Sequence, residues 1–221
     1  MSSLAGAQTT AVSVPMLPQV ALQMIAHELR QPLSTIESIA YYLGLVLPPG
    51  DHRAREHVAR LQQLVEQSNW ILTCGLQMSD QTPLAPAPIN LEQLIRQAVS
   101  ALMAQGHPQP ILELSGDRPV VRLDPGRGRA LLENLLALFL QIGDQIHPVR
   151  LRTAAADPGA AAGSVLLEIS TAAPGYRSEA GLGSGSALGL ECARRIVDSH
   201  GGSLTVEVDP VSGIRLRAVL P

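Results

Sequence analysis

The heptapeptide His27-Glu28-Leu29-Arg30-Gln31-Pro32-Leu33 sets an imidazole, a carboxylate, a guanidinium and an amide close together along one run of chain. A neutral imidazole nitrogen is a competent nucleophile toward a phosphoryl group, provided the other ring nitrogen holds the proton. A carboxylate next in sequence can take part in that control and in proton transfer. Pro32 removes one backbone hydrogen bond and crowds the carbonyl four residues back, at roughly 3 kcal/mol. Placed one turn beyond His27, it loosens the helix and helps open the approach to the imidazole. The zinc pattern H-E-x-x-H is excluded, because position 31 is Gln and the second ligand is missing. The remaining histidines, His52, His57, His107, His147 and His200, read as solvated residues, and no metal site is expected.

The elements that must carry this string are legible in the apolar spacing. Between Pro18 and Leu47, residues Ile25, Leu29, Leu33, Ile36, Ile39, Ala40, Leu43 and Leu47 recur at three and four, as in an amphipathic helix of about eight turns. The segment LPPGD at 47–51 stops it. A second run follows with Val58, Leu61, Val65, Leu72 and Leu76 on its seam, and Leu64, Ser68, Ile71 and Gly75 beside it. Two long helices joined by a short turn lie antiparallel. Such a hairpin cannot bury its apolar face alone, so a homodimer forming a four-helix bundle is expected. Ile25, Leu29 and Leu33 would define the buried side of the first helix and leave His27 on a solvent-facing flank.

Residues 81–88 are rich in proline and lack a periodic pattern, which marks a semi-rigid linker. The expected organisation is therefore a flexible tail at 1–15, a hairpin at 16–80, the linker, and a second domain at 89–221. In that domain Asn90 and Gln93 form a capping pair for a helix to about Ala104. Strands follow at 111–114 and 120–123. Asp124 caps a helix with Pro125 in its first turn, running to about Ile142. Strands at 149–153 and 165–171, a helix at 187–199 and a closing hairpin around PVSG complete an α/β layered domain with a mixed sheet.

Composition narrows the class. At 221 residues with 46% hydrophobic and 2% aromatic content, the chain folds around Leu, Ile, Val and Ala. A net charge of −3 gives no bulk attraction to nucleic acid or anionic membrane. All 16 basic side chains are Arg. The two cysteines, Cys74 and Cys192, lie far apart and suggest neither a disulfide framework nor a metal cluster. No apolar run approaches the ~20 residues of a membrane span. These features point to the cytoplasm and to no membrane or nucleic-acid partner.

The string HELRQPL resembles the H box of sensor histidine kinases, H-E-x-R-x-P-L, at every fixed position. It lies on the first helix of a hairpin, where that family carries it. The resemblance extends from about Met16 to Pro221. The second domain is similar to the Bergerat-fold (GHKL) ATPase domain of these kinases, through VRLDPGRGRALLENLL at 121–136, Pro174–Gly175, and GSALGLECARRIVDSHGGSLTVE at 185–207. It implies a two-component signalling protein with His27 as phosphoacceptor, Glu28 as its orienting or acid–base partner, and Arg30 near phosphate or a receiver carboxylate. Gln31 stands where kinases with phosphatase activity place Thr or Asn to position water, which implies a similar role for its amide.

The nucleotide boxes depart from the family. Against L-x-N-L-L-x-N-A, the chain keeps Leu132, Asn134, Leu135 and Leu136 but has Leu138 for the second, magnesium-holding Asn and Phe139 for Ala. Leu138 cannot give oxygen to a hard cation. Against D-x-G-x-G, Thr171 replaces Asp and Ala173 the first Gly, with Gly175 kept. A Thr hydroxyl lacks the charge assistance of a carboxylate toward adenine, and the Ala173 methyl stands where backbone must approach the base. The box G-x-G-L-G-L survives partly as Gly185, Ala187, Leu188, Gly189 and Leu190, and the lid between these boxes is shortened. A residual nucleotide site would draw on Asn134, Thr171, Gly175, Gly185 and Gly189.

A retained phosphoacceptor beside a degraded ATP site resembles the dimeric histidine phosphotransferases of phosphorelays. That resemblance implies transfer of a phosphoryl group between response-regulator aspartates and His27. Magnesium would come with the receiver, and no tightly bound cofactor, ATP included, is expected. An ATP-dependent kinase core with a divergent site and a non-catalytic receiver-docking adaptor are the competing readings.

Overall fold

Leu47-Pro48-Pro49-Gly50 cannot continue a helix, and the chain reverses there. Helix α1 spans Gln19–Val46 and α2 spans His52–Ser79. Asp51 caps α2 by accepting from the Ala54 N–H at 3.1 Å. Arg55 reaches back and donates to the Leu47 and Pro48 carbonyls at 2.6 and 3.2 Å, satisfying acceptors that the end of α1 leaves open. These observations come from a computed structural model that describes residues 19–104, 106–116, 119–143, 146–156, 159, 161, 163–175 and 184–221. The expected tail at 1–15 and most of the lid segment between Gly175 and Gly185 lie outside the described residues.

The hairpin corrects one expectation. The strip of α1 buried against α2 is centred on Ala26 and Ala40, with Leu33 half-buried between them. Ile25, Leu29, Ile36 and Ile39 stay 45%, 46%, 41% and 55% exposed. The seven-residue spacing of 26, 33 and 40 is what two antiparallel helices share at a narrow seam. Small alanines there let the backbones approach, and the larger apolar residues are turned onto a second face. Helix α1 runs unbroken through Pro32. The bond that its missing N–H would have made is to the Glu28 carbonyl, beside His27.

Beyond the hairpin, strand β1 (Ala87–Asn90) pairs antiparallel with β3 (Val120–Leu123) as a two-stranded sheet. The linker expected at 81–88 therefore ends before Ala87, and Pro88 lies within β1. Proline is tolerated because β1 has a strand neighbour on one side only. Helix α3 (Leu91–Ala104) is capped by Asn90, whose Oδ1 accepts from Gln93 N–H at 2.9 Å. Helix α4 (Pro125–Ile142) is capped by Asp124, which accepts from the Gly126 and Arg127 N–H groups. The main sheet has the order β2-β4-β5-β7-β6, from Ile111–Glu113, Arg150–Ala155, Val165–Thr171, Gly213–Leu220 and Ser203–Asp209. Among the described residues only the β2–β4 pair is parallel. Helix α5 (Ser184–Ser199) completes the helical layer with α3 and α4.

One face of the sheet, with Leu151, Leu167, Ile169, Leu216 and Ala218, packs against α4 and α5 around Leu132, Leu135, Phe139, Ala193 and Val197. The other face carries ion pairs, among them Glu168 with Arg217 at 3.0 Å and with Arg215 at 3.8 Å. Glu92 is buried and accepts from the Gly116 N–H and the Ser115 and Thr153 hydroxyls. Burial opposes its charge, but those three donors outweigh it and hold the carboxyl below its usual range. This ties α3 to the edge of the sheet. His200 is structural as well: its Nε2 accepts from Asp124 N–H at 2.9 Å, and Nδ1 faces the Ile196 carbonyl at 2.7 Å.

Candidate functional site

His27 is exposed on α1, as are Glu28, Arg30 and Gln31. The Gln31 amide nitrogen lies 3.4 Å from His27 Nε2, one helical turn away. With the amide donating, Nε2 carries its lone pair and the ring proton sits on Nδ1, the tautomer required for nucleophilic attack by Nε2. Among the described residues no hydrogen bond or ion pair joins Glu28 to His27. Arg30 donates to the Thr73 hydroxyl on α2 at 3.1 Å. It therefore bridges the two helices through one of its five N–H donors and remains exposed.

The residual nucleotide boxes come together differently. Asn134, on α4, is buried with all four amide positions engaged. Its Oδ1 accepts from the Trp70 indole N–H at 3.2 Å and from the Cys74 thiol at 3.5 Å. Its Nδ2 donates to Gln77 Oε1 at 2.7 Å and to Cys192 Sγ at 3.4 Å. Trp70, Cys74 and Gln77 all belong to α2, so the hairpin itself saturates this asparagine. Gly189, on α5, is buried under the Trp70 ring, and a Cβ there would lie 1.9 Å from the ring edge. The glycine that a motif reading gives to a phosphate loop has a packing reason here: it admits an indole.

Leu138 points into the apolar core, among the side chains around Phe139. The Thr171 hydroxyl is buried and donates to the His147 carbonyl at 2.8 Å. Gly175 has φ +97°, and a Cβ there would meet open space. Gly185 lies in the first turn of α5. Asn134 and Gly189 are thus taken up by α2, and the Thr171 hydroxyl by the His147 carbonyl. Among the described residues, Leu138 and Asn134 do not fit a magnesium nucleotide: the cation would find a leucine, and Asn134 has no free donor or acceptor.

The sequence reading missed Trp70, Gln77 and the two cysteines. One signal was available, since Trp70 is the sole tryptophan of a chain with very few aromatic residues. Its position on the polar side of α2 had no explanation within a hairpin alone.

The linker is anchored rather than free. Arg127 donates to the Thr82 carbonyl at 2.8 Å and pairs with Asp80 at 3.5 Å. The Asp124 carboxylate accepts from the Arg127, Ala85 and Gly126 N–H groups, at 3.1, 3.1 and 3.0 Å, and these donors hold its carboxyl below the usual range. The hairpin and the layered domain are therefore joined through α2, α5 and this short strap.

No protein-family model matches the chain. Among curated proteins it is similar to the sensor histidine kinase ZraS of Escherichia coli O157:H7, 25% identical over 210 residues, covering 89% of this chain and 44% of that protein. It is also similar to the circadian input-output histidine kinase CikA of Synechococcus elongatus, 25% identical over 224 residues, covering 90% of this chain and 29% of CikA. The chain thus spans less than half the length of these relatives. Among solved structures it resembles full-length ShkA in complex with AMPPNP, with a TM-score of 0.61 at 22% identity over 93% of this chain and 46% of that one. It also resembles the Acinetobacter baumannii histidine kinase AdeS, with a TM-score of 0.54 at 18% identity over 88% and 96% of the two chains. The architecture is that of a sensor histidine kinase core: a helical hairpin followed by a GHKL-type sandwich. Among the described residues no helix is long and apolar enough to cross a membrane.

Proposed function

We propose that this histidine-kinase-type core works in two-component signalling, with His27 as the residue that carries the phosphoryl group. The observation that carries the reading is the exposed His27 imidazole, with Gln31 at Nε2, within an intact H-box string on the hairpin. In transfer from a receiver, the His27 Nε2–phosphorus bond forms as the aspartyl oxygen–phosphorus bond breaks, and the carboxylate leaves in line. Magnesium brought by the receiver would neutralise charge on the phosphoryl oxygens.

The donor divides this proposal into two versions. The named relatives are kinases, and they favour a kinase core over a dedicated histidine phosphotransferase. The packing around Asn134, Leu138 and Gly189 supports the phosphotransferase version, because it engages or removes groups that a magnesium nucleotide would use. One experiment separates them: incubate the full chain with γ-labelled ATP and magnesium, and separately with a panel of phosphorylated receivers. Label on His27 from receivers alone is the expected result. Label from ATP, or calorimetric ATP binding in the low micromolar range, establishes the kinase version. Label from neither leaves a docking adaptor.

The partner implied by the exposed stripe is a second copy of the chain. Ile25, Leu29, Ile36 and Ile39 on α1 and Leu61, Leu64 and Ile71 on α2 are all exposed in one protomer. Burial at roughly 25 cal/mol per Å² of apolar surface strongly favours covering them in a four-helix bundle. The chain is expected to scatter light as a dimer at micromolar concentration. Ile36→Glu is expected to give a monomer that keeps its helical circular dichroism, and a monomeric parent chain would overturn the assignment.

A further inference from the structure

Cys74 and Cys192 are the only cysteines of the chain, and they arrive at one point from different parts of it. Cys74 lies on α2 of the hairpin and Cys192 on α5 of the layered domain, and both are buried. Each thiol touches the amide of Asn134, at 3.5 and 3.4 Å, from opposite ends of that short group. Cys192 also donates to Gln77 at 3.1 Å, and the two thiols are near enough to shift each other's acidity. A core needing only small apolar side chains would not gather two sulfurs, an asparagine and a glutamine across a domain junction.

We infer that Cys74 and Cys192 form a redox-modification site, converted by a two-electron oxidant of the peroxide class into a disulfide that ties the hairpin to the layered domain. The direction of the chemistry follows from the contact between the thiols. Contact with Cys74, together with donation from the Asn134 amide, holds the Cys192 thiol below its usual range against the effect of burial, while contact with Cys192 and burial push Cys74 up. Cys192 is therefore the attacking thiolate. Its sulfur bonds to one peroxide oxygen, the O–O bond breaks, and hydroxide leaves to take up a proton as water. The Cys74 sulfur then attacks the resulting sulfenic sulfur, the S–O bond breaks, and the departing hydroxide leaves as water with the Cys74 proton. Two electrons pass from the sulfurs to the peroxide, and the net products are one disulfide and two waters.

Access sets the rate. Trp70 stands one turn before Cys74 on α2 with its ring across Gly189, so the first step requires α2 to lift from α5. The second step requires it to return. The site thus reports whether the two domains part, and it fixes them together once it has reacted. It does not depend on whether His27 carries phosphate.

The test is a peptide map of the full chain after exposure to hydrogen peroxide. Expected are the loss of two hydrogen atoms from the intact mass, one cross-linked peptide joining Cys74 to Cys192 within a chain, and its disappearance on treatment with dithiothreitol. Cys74→Ser and Cys192→Ser should each abolish that peptide, and Trp70→Ala should accelerate its formation several-fold. Both thiols still titrating after denaturation, a cross-link only between chains, or separate oxidation of each cysteine without a cross-link would overturn the inference. Where a serine variant does not fold, the wild-type map decides.

Discussion

His27→Gln is expected to take up no label from any phosphorylated receiver, while melting at the temperature of the parent chain. Glutamine keeps a polar side chain of similar length but has no ring nitrogen lone pair to attack phosphorus. Because His27 is exposed and bonds only Gln31 among the described residues, its loss should change stability by no more than about 0.5 kcal/mol. That separation makes the result interpretable, since inactivity cannot then be blamed on unfolding. Glu28→Ala is expected to slow transfer without abolishing it, because Glu28 makes no bond to the imidazole in the unphosphorylated chain and could act only once charge develops. Gln31→Ala probes a different step. If its amide positions water beside the phosphoryl group, the variant should still accept label while slow dephosphorylation of the receiver is lost. Label appearing on His27→Gln would remove the phosphoacceptor assignment, whereas an unchanged Gln31→Ala would remove only the hydrolytic step.

The parts of the molecule legible in sequence are those whose causes are local. Asp124 followed by Pro125 announces a helix start through a side-chain acceptor and a preset φ, and α4 begins there. The alternation in VLLEIST gives β5, whose inward and outward residues follow the pleat. The faces of α1 were only half legible. Apolar spacing identifies an amphipathic helix but cannot say which part of a broad stripe meets α2 and which is left for another chain. Strand β1 was hidden by Pro88 and the prolines just before it, because a proline-rich run reads as a linker until a one-sided neighbour is known.

The site shows the same division. HELRQPL is contiguous, and its chemistry could be read residue by residue. The fate of Asn134 could not, because Trp70, Gln77 and Cys192 come from segments that are distant in sequence and meet only when the two domains dock. Motif comparison did identify Leu138 as a lost ligand. It could not show that Gly189, a matching residue, is retained for a tryptophan.

Gly189→Ala is therefore expected to be more harmful than a glycine-to-alanine change inside a helix normally is, where alanine is the better former by about 1 kcal/mol. The new methyl would overlap a ring carbon of Trp70, and rigid indole cannot yield as a flexible chain end would. Forced repacking of this kind costs about 1–3 kcal/mol. The ring must leave its bed, breaking the bond from its N–H to Asn134. Trp70→Ala alone should cost about 2 kcal/mol, below the 3–5 of a fully buried tryptophan because this one is half-buried. With the ring gone, however, the methyl at position 189 meets open space, and Gly189→Ala should then be neutral or stabilising. Urea midpoints of the two single variants and the double variant close a cycle with an expected coupling of about 1–3 kcal/mol. Emission from the single tryptophan gives an independent reading, since Gly189→Ala should shift it toward the wavelength of exposed indole. Additive costs with unshifted emission would mean that α2 does not rest on α5 in solution. In that case Asn134 would be free to meet a ligand, and the kinase version of the function would regain its strongest missing element.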